Sequence, residues 1–176
     1  MPNAWNARLS VEARASLQGL HELLRLDPRT AVAELRDWIS REPSPIFFNW
    51  LGAALTELGD DAAAAENTRE NYRRNPDYLF ARVNYAELCL ADGDLAGARE
   101  ALGETLDIRR LLGGRKRIHV SEAAGFFYVS ALYRIETGDR EGAERLYEFL
   151  EDLAPDDSTT ETVRRRLWPG LRGLGA

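Results

Sequence analysis

The chain has 176 residues, of which 44% are hydrophobic and 9% aromatic, enough to bury a core of ordinary size as one domain or one continuous array. A formal net charge of −6 repels phosphates at long range and disfavours a general polyanion binder, and the single cysteine, Cys89, excludes an intramolecular disulfide scaffold. The opening MPNAWNARLSVEARASLQ lacks the apolar segment of a secretory leader, and no run approaches the roughly 20 apolar residues of a membrane span, so the chain reads as soluble and cytoplasmic.

In chain order, the apolar run IFFNWLGAAL leads into Gly59-Asp60 and is followed by Ala64. YLFARVNYAELCL leads into Gly93-Asp94 with Ala98, and REGAERLYEFLEDL follows Gly138-Asp139 and contains Ala143. These flanks have helical spacing, and neither alternating Val/Ile/Thr runs nor Asn-Gly hairpin turns occur. Glycine supplies the positive φ that closes one helix, and the aspartate after it caps the N–H groups that open the next. So short a turn forces the two helices antiparallel, and an alanine five residues past the glycine lets their axes approach closely. Asn75-Pro76 and Ala154-Pro155 are expected to end the second helices, because proline disfavours helical backbone in the residue before it. Gly59 to Gly93 is 34 residues and Gly93 to Gly138 is 45, a solenoid-like period with 11 residues inserted.

These features together resemble the tetratricopeptide-repeat family, whose 34-residue signature carries an aromatic, Leu-Gly, tyrosine, a later alanine and aromatic, and a closing proline. Unit 45–78 carries the resemblance through Phe48, Leu51, Gly52, Leu55, Gly59, Ala64 and Pro76. Unit 79–112 adds Tyr85, Ala86, Cys89, Gly93, Ala98 and Leu102, and unit 124–157 adds Phe127, Ala131, Gly138, Ala143, Tyr147 and Pro155. A divergent unit over 12–44 is suggested by Gly19, Ala31, Leu35, Trp38 and Pro43, although LLRLDP (23–28) also reads as a repeat ending, which leaves two registers open. Residues 113–123 form the inserted connection, and TTETVRRRLW within 158–168 reads as a covering helix. Arg82, Thr68 and Arg134 stand where the pattern has two aromatics and a tyrosine. The resemblance implies an all-α, right-handed superhelix of antiparallel helix-turn-helix repeats.

The first helix of a unit is apolar on two sides: Phe80, Val83 and Leu90 lie away from Tyr85, Ala86 and Cys89, and Tyr128, Leu132 and Ile135 lie opposite Phe127 and Ala131. A helix apolar on two sides is expected to be covered on both. In the resembled family the second face lines a concave groove that binds partner peptides. Carried over position by position, that groove comprises Ile46, Asn49, Trp50 and Ala53, then Phe80, Val83, Asn84 and Glu87, then Tyr128, Val129 and Leu132. Its aromatic, aliphatic and amide character suits an amphipathic helix or an extended apolar peptide of a partner protein. Permanent burial of the same side chains by neighbouring helices or a second copy is the competing reading. The family's clamp for the acidic tails of heat-shock chaperones needs Lys, Asn, Asn, Lys and Arg, whereas Asn49, Ala53, Asn84, Gly125 and Val129 stand here, so that partner class is not expected.

Catalysis finds no support. The histidines, His21 and His119, are far apart, and neither HExxH, CxxC, GxSxG nor a glycine-rich phosphate loop is present. No metal and no cofactor is therefore expected, and the chain reads as a non-catalytic interaction scaffold. Cys89 falls on an inner helix face as an inert thiol, and Gly113-Gly114 reads as a helix ending. The segment RRLLGGRKRIHVS carries Arg109, Arg110, Arg115, Lys116 and Arg117, a candidate docking patch for an acidic partner or nucleic acid. It lacks stacking aromatics, and a solvated loop is the simpler reading. Self-association of the apolar faces into a homodimer is the alternative to an external partner.

Overall fold

The computed structural model describes residues 8–170, and among these there are nine α-helices and no strand. The helices are α1 (Val11–Leu26), α2 (Pro28–Arg41), α3 (Pro45–Glu57), α4 (Asp61–Arg74), α5 (Leu79–Ala91), α6 (Leu95–Leu102), α7 (Val120–Glu136), α8 (Arg140–Leu153) and α9 (Ser158–Leu167). A 3-10 turn at Ile108–Leu111 lies between α6 and α7.

Two devices end eight of the nine described helices. At Asp27, Glu42, Asn75, Ala154 and Trp168 a proline follows, and each of these residues leaves the helical region, with φ between −154° and −130° and positive ψ. Each still donates its N–H to the carbonyl four residues back, so the helix stops where the proline ring would clash with another helical residue. The second device is the Gly-Asp pair. Gly59, Gly93 and Gly138 have φ of 72°, 76° and 78°. The following aspartates donate their N–H to Leu55, Cys89 and Arg134 at 3.0, 2.7 and 2.8 Å, and the glycines donate to Thr56, Leu90 and Ile135, the double closure of a Schellman ending. The same aspartates then accept from Ala63, Gly97 and Gly142 through their carboxylates at 3.2, 2.9 and 2.9 Å, which opens α4, α6 and α8. One residue thus finishes one helix and starts the next. Ala98 and Ala143 are fully buried in the resulting hairpins, and Ala64 is partly buried.

Contacts divide the chain into two compact units, Met1–Ala81 and Arg82–Ala176. In the first, α1 packs on α2 and α3, α2 on α3, and α3 on α4. Leu20, Leu35, Phe47, Leu51 and Leu55 lie in one core, with Trp38 stacked on Phe47 at 5.5 Å. Asp27 alone separates α1 from α2: it ends the first and its carboxylate accepts from the Thr30 N–H at 3.1 Å to cap the second. Gly19 lies within α1. Helix α4 is polar in composition and meets α3 partly through amides. Asn67 donates to the Phe48 carbonyl at 2.8 Å, and the nearly buried Asn71 donates to Pro45 at 3.5 Å. A Cβ at Gly52 would sit 3.2 Å from the Asn67 nitrogen, so the Leu-Gly step of the pattern makes room for that bond.

In the second unit α7 packs on α6, α8 and α9, and α8 packs on α9. Ala131, Leu132, Ala143, Leu150, Val163 and Leu167 form its core, and Trp168 meets Tyr147 edge-on at 5.1 Å. Thr160 donates to the Ala154 carbonyl at 2.8 Å, tying α9 to the end of α8. Helix α6 stops at Leu102 because Gly103 takes φ 82°, so the connection to α7 spans 103–119 and is longer than the 113–123 expected. Arg82, in the place of an aromatic, donates to the Ala101 and Glu100 carbonyls at 2.7 and 3.2 Å and so caps the C-terminus of the shortened helix. Arg134, in the place of a tyrosine, pairs with the capping carboxylate of Asp139.

Candidate functional site

The side chains expected to line a groove divide by burial. In the first unit Ile46 is only 4% exposed and belongs to the core. Asn49, Trp50 and Phe80 remain partly exposed, and Ala53 is exposed. Trp50 rests against the core and meets His21 of α1 edge-on at 6.1 Å, so α1 covers part of the second face of α3. Phe80 is tilted against Tyr78 at 5.7 Å.

In the second unit Val83, Val129 and Leu132 are buried, whereas Asn84 and Tyr128 are partly exposed and Glu87 is exposed. A Cβ on Gly125 would lie 3.6 Å from Val83 Cγ1, so α5 and α7 cover each other there. The Tyr128 hydroxyl is hydrogen-bonded to Glu87. Desolvation raises the Glu87 carboxyl above its ordinary value, with the Tyr128 bond opposing the shift. Burial first, and the neighbouring Glu87 next, push the Tyr128 phenol up to about 12. The two groups thus perturb each other, the Glu87 carboxyl and the Tyr128 phenol both being shifted upward.

The basic segment contributes unequally. Arg115 is drawn inward, 3.0 Å from Glu122, which is 2% exposed. Glu122 also accepts the His119 N–H at 3.0 Å, and the His119 ring accepts from Ser121 N–H at 3.3 Å, so this candidate patch residue and His119 both serve the start of α7. Arg109 pairs with Asp107 at 2.7 Å, and the hydrogen bond from Arg109 pulls that carboxyl down to about 2. Arg110, Lys116 and Arg117 are exposed.

Sequence reasoning missed a polar cleft of about 380 Å³ in the second unit, lined by Arg99, Glu104, Thr105, Leu106, Tyr133, Arg134, Thr137 and Asp139. It opens where α6 ends early. Leu106 has φ 49°, the one positive value at a non-glycine among the described residues. Arg99 is paired with Glu104 at 2.8 Å, and the Arg134 Nε is buried without a partner. The only available sequence signal was the 11-residue excess after unit two, which says where chain is added but not what it encloses.

Among the described residues no group of three or more His, Cys, Asp or Glu side chains could hold a metal ion, and no helix is long and apolar enough to cross a membrane. Cys89 is buried, with its sulfur 2.9 Å from where a Cβ on Gly97 would lie.

Over its described residues the chain is all-helical, with neighbouring helices packed in chain order within each unit, an arrangement compatible with an α-solenoid. Comparison of the chain with protein-family models, with curated proteins and with solved structures found no match.

Proposed function

We propose that this chain is a non-catalytic interaction scaffold of tetratricopeptide-repeat type that binds a peptide or helix of a partner protein. The observation that supports this reading is the recurrence of partly exposed aromatic and amide side chains on the first helix of each Gly-Asp hairpin: Asn49 and Trp50 on α3, Phe80 and Asn84 on α5, and Tyr128 on α7. Large aromatics such as Trp and Tyr tend to dominate interface energetics, at about 25 cal/mol per Å² of apolar area buried before ordering losses. Ile46, Val83 and Leu132, from the same expected face, are buried. The test is capture of a natural partner by wild type and by Trp50→Ala and Phe80→Ala, with helicity monitored by circular dichroism. Loss of capture with helicity retained supports the reading; equal capture by folded variants removes it.

A second reading, self-assembly, draws support from Phe149 and Leu153 on α8, which are 55% and 39% exposed, with Phe149 stacked on Phe127 at 5.5 Å. Light scattering across dilution decides it. A dimer that persists and is lost in Phe149→Glu favours assembly, and a monomer favours an external ligand.

A further inference from the structure

The cleft beside the end of α6 is built from parts that the peptide-binding reading does not use. Its floor is the last turn of α7, where Tyr133 is 9% exposed, and the Thr137 hydroxyl is turned back to donate to the Tyr133 carbonyl at 2.9 Å. One wall is Arg134, fixed by Asp139, whose other carboxylate oxygen is committed to the Gly142 N–H at the start of α8. That carboxylate cannot leave without uncapping a helix, so Arg134 is a rigid wall with its charge already neutralised. The opposite wall differs. Arg99 is held by Glu104, through the Glu104 carboxylate at 2.8 Å and the Glu104 carbonyl at 3.4 Å, and the two side chains are 50% and 77% exposed. An ion pair this exposed is held weakly and exchanges readily with another anion.

The turn that carries Glu104 is itself under strain. Leu106 donates its N–H to Gly103 at 3.0 Å and takes a left-handed conformation that costs a branched side chain energy, and backbone outliers of this kind collect at ligand sites. The cleft thus holds one guanidinium with a displaceable partner, a phenol in the same lining, and a hydroxylated and aliphatic rim from Thr105, Thr137 and Leu106. About 380 Å³ falls within the range of small-ligand sites.

We infer that this cleft binds a small organic oxyanion, a carboxylate or a phosphate, which displaces the Glu104 side chain from Arg99 and is held by the Arg99 guanidinium beside the Tyr133 hydroxyl. Glu104 acts as the resident stand-in for the ligand. A forked guanidinium recognises either oxyanion through paired N–H donors, so the geometry names the shared chemistry. The inference does not rest on the peptide-binding reading, with which it shares no residue, and either can fail alone.

The experiment is an amide chemical-shift titration of the full chain at low ionic strength, with succinate in one arm and inorganic phosphate in the other. The variants are wild type, Glu104→Gln, Arg99→Gln and Arg99→Lys, with Arg145→Gln as an exposed-arginine control. Removing the internal competitor is expected to tighten binding in Glu104→Gln by about threefold. Loss of the fork is expected to weaken binding about tenfold in Arg99→Gln and less in Arg99→Lys, with no change in Arg145→Gln. Shifts should centre on Leu106, Tyr133 and Thr137. Tighter binding of succinate assigns a carboxylate ligand, and tighter binding of phosphate assigns a phosphate. Glu104→Gln keeps the test decisive should Arg99→Gln not fold. The inference is overturned if neither anion saturates Glu104→Gln, if that variant binds no tighter than wild type, or if the shifts fall on 109–117.

Discussion

The guanidinium of Arg115 lies 3.0 Å from the carboxylate of Glu122, and that carboxylate, 2% exposed, also accepts the N–H of His119. A residue of the basic segment therefore fastens the long connection to the first turn of α7. Arg115→Ala would leave a buried carboxylate without its counter-ion, and the expected cost is about 3 kcal/mol in urea denaturation. Arg117→Ala, at an exposed neighbouring cation, is expected to be nearly neutral. Equal effects of the two would show that the connection is not anchored through Glu122.

The three Gly-Asp turns make separate demands on their two residues. Gly93→Ala places a Cβ at φ 76°, where steric space is free but the backbone is disfavoured, and should cost about 1 kcal/mol. Asp94→Ala removes the carboxylate that accepts from Gly97 N–H at 2.9 Å, and should also cost about 1 kcal/mol. Because the residues are adjacent and act on one turn, the double variant is expected to depart from additivity, as a thermodynamic cycle of melting curves would show.

Arg82 occupies a position where the repeat pattern has an aromatic. Its two hydrogen bonds to the Ala101 and Glu100 carbonyls mean that Arg82→Phe, the substitution toward the pattern, should destabilise by about 1.5 kcal/mol instead of stabilising. Hydrogen exchange should show the loss first in α6, whose last carbonyls would lose these donors.

Glu87 gives the clearest pH signature. Its folded carboxyl is raised by desolvation, so its contribution is most favourable below the unfolded carboxyl range and is lost as pH rises through the folded value. Glu87→Gln keeps a partner for Tyr128 and removes the charge. Its melting temperature relative to wild type should therefore be higher at pH 8 than at pH 4; a pH-independent difference would refute the desolvation account. Asp107 and Glu70 have the opposite sign, since arginine neighbours hold both at about 2, and their stabilisation is present above the unfolded carboxyl range and lost as pH falls toward 2.

Much of the helical order was legible because the signals are local. Gly59-Asp60, Gly93-Asp94 and Gly138-Asp139 state a backbone conformation and a cap within two residues, and Asn75-Pro76 and Ala154-Pro155 state a stop by sterics alone. Where the determinant is a side chain reaching across the fold, the sequence was silent or ambiguous. Nothing near Arg82 announces that its partners are carbonyls at the end of α6, and nothing near Arg115 announces Glu122. The N-terminal register was ambiguous because Asp27-Pro28 serves at once as an ending and a beginning. Of the expected groove, periodicity located the apolar positions but could not separate Ile46, Val83 and Leu132, which neighbours cover, from Trp50, Phe80 and Tyr128, which they leave partly open. The cleft beside Arg99 arises from a helix that stops early, a property of Gly103 and Leu106 that periodicity does not encode.

Since Asp60, Asp94 and Asp139 each donate backward and accept forward, no slack residue separates the paired helices. Fraying on one side of such a joint withdraws a bond from the other. Amide protection at the two helix ends that meet in each of these three joints should therefore decay in step.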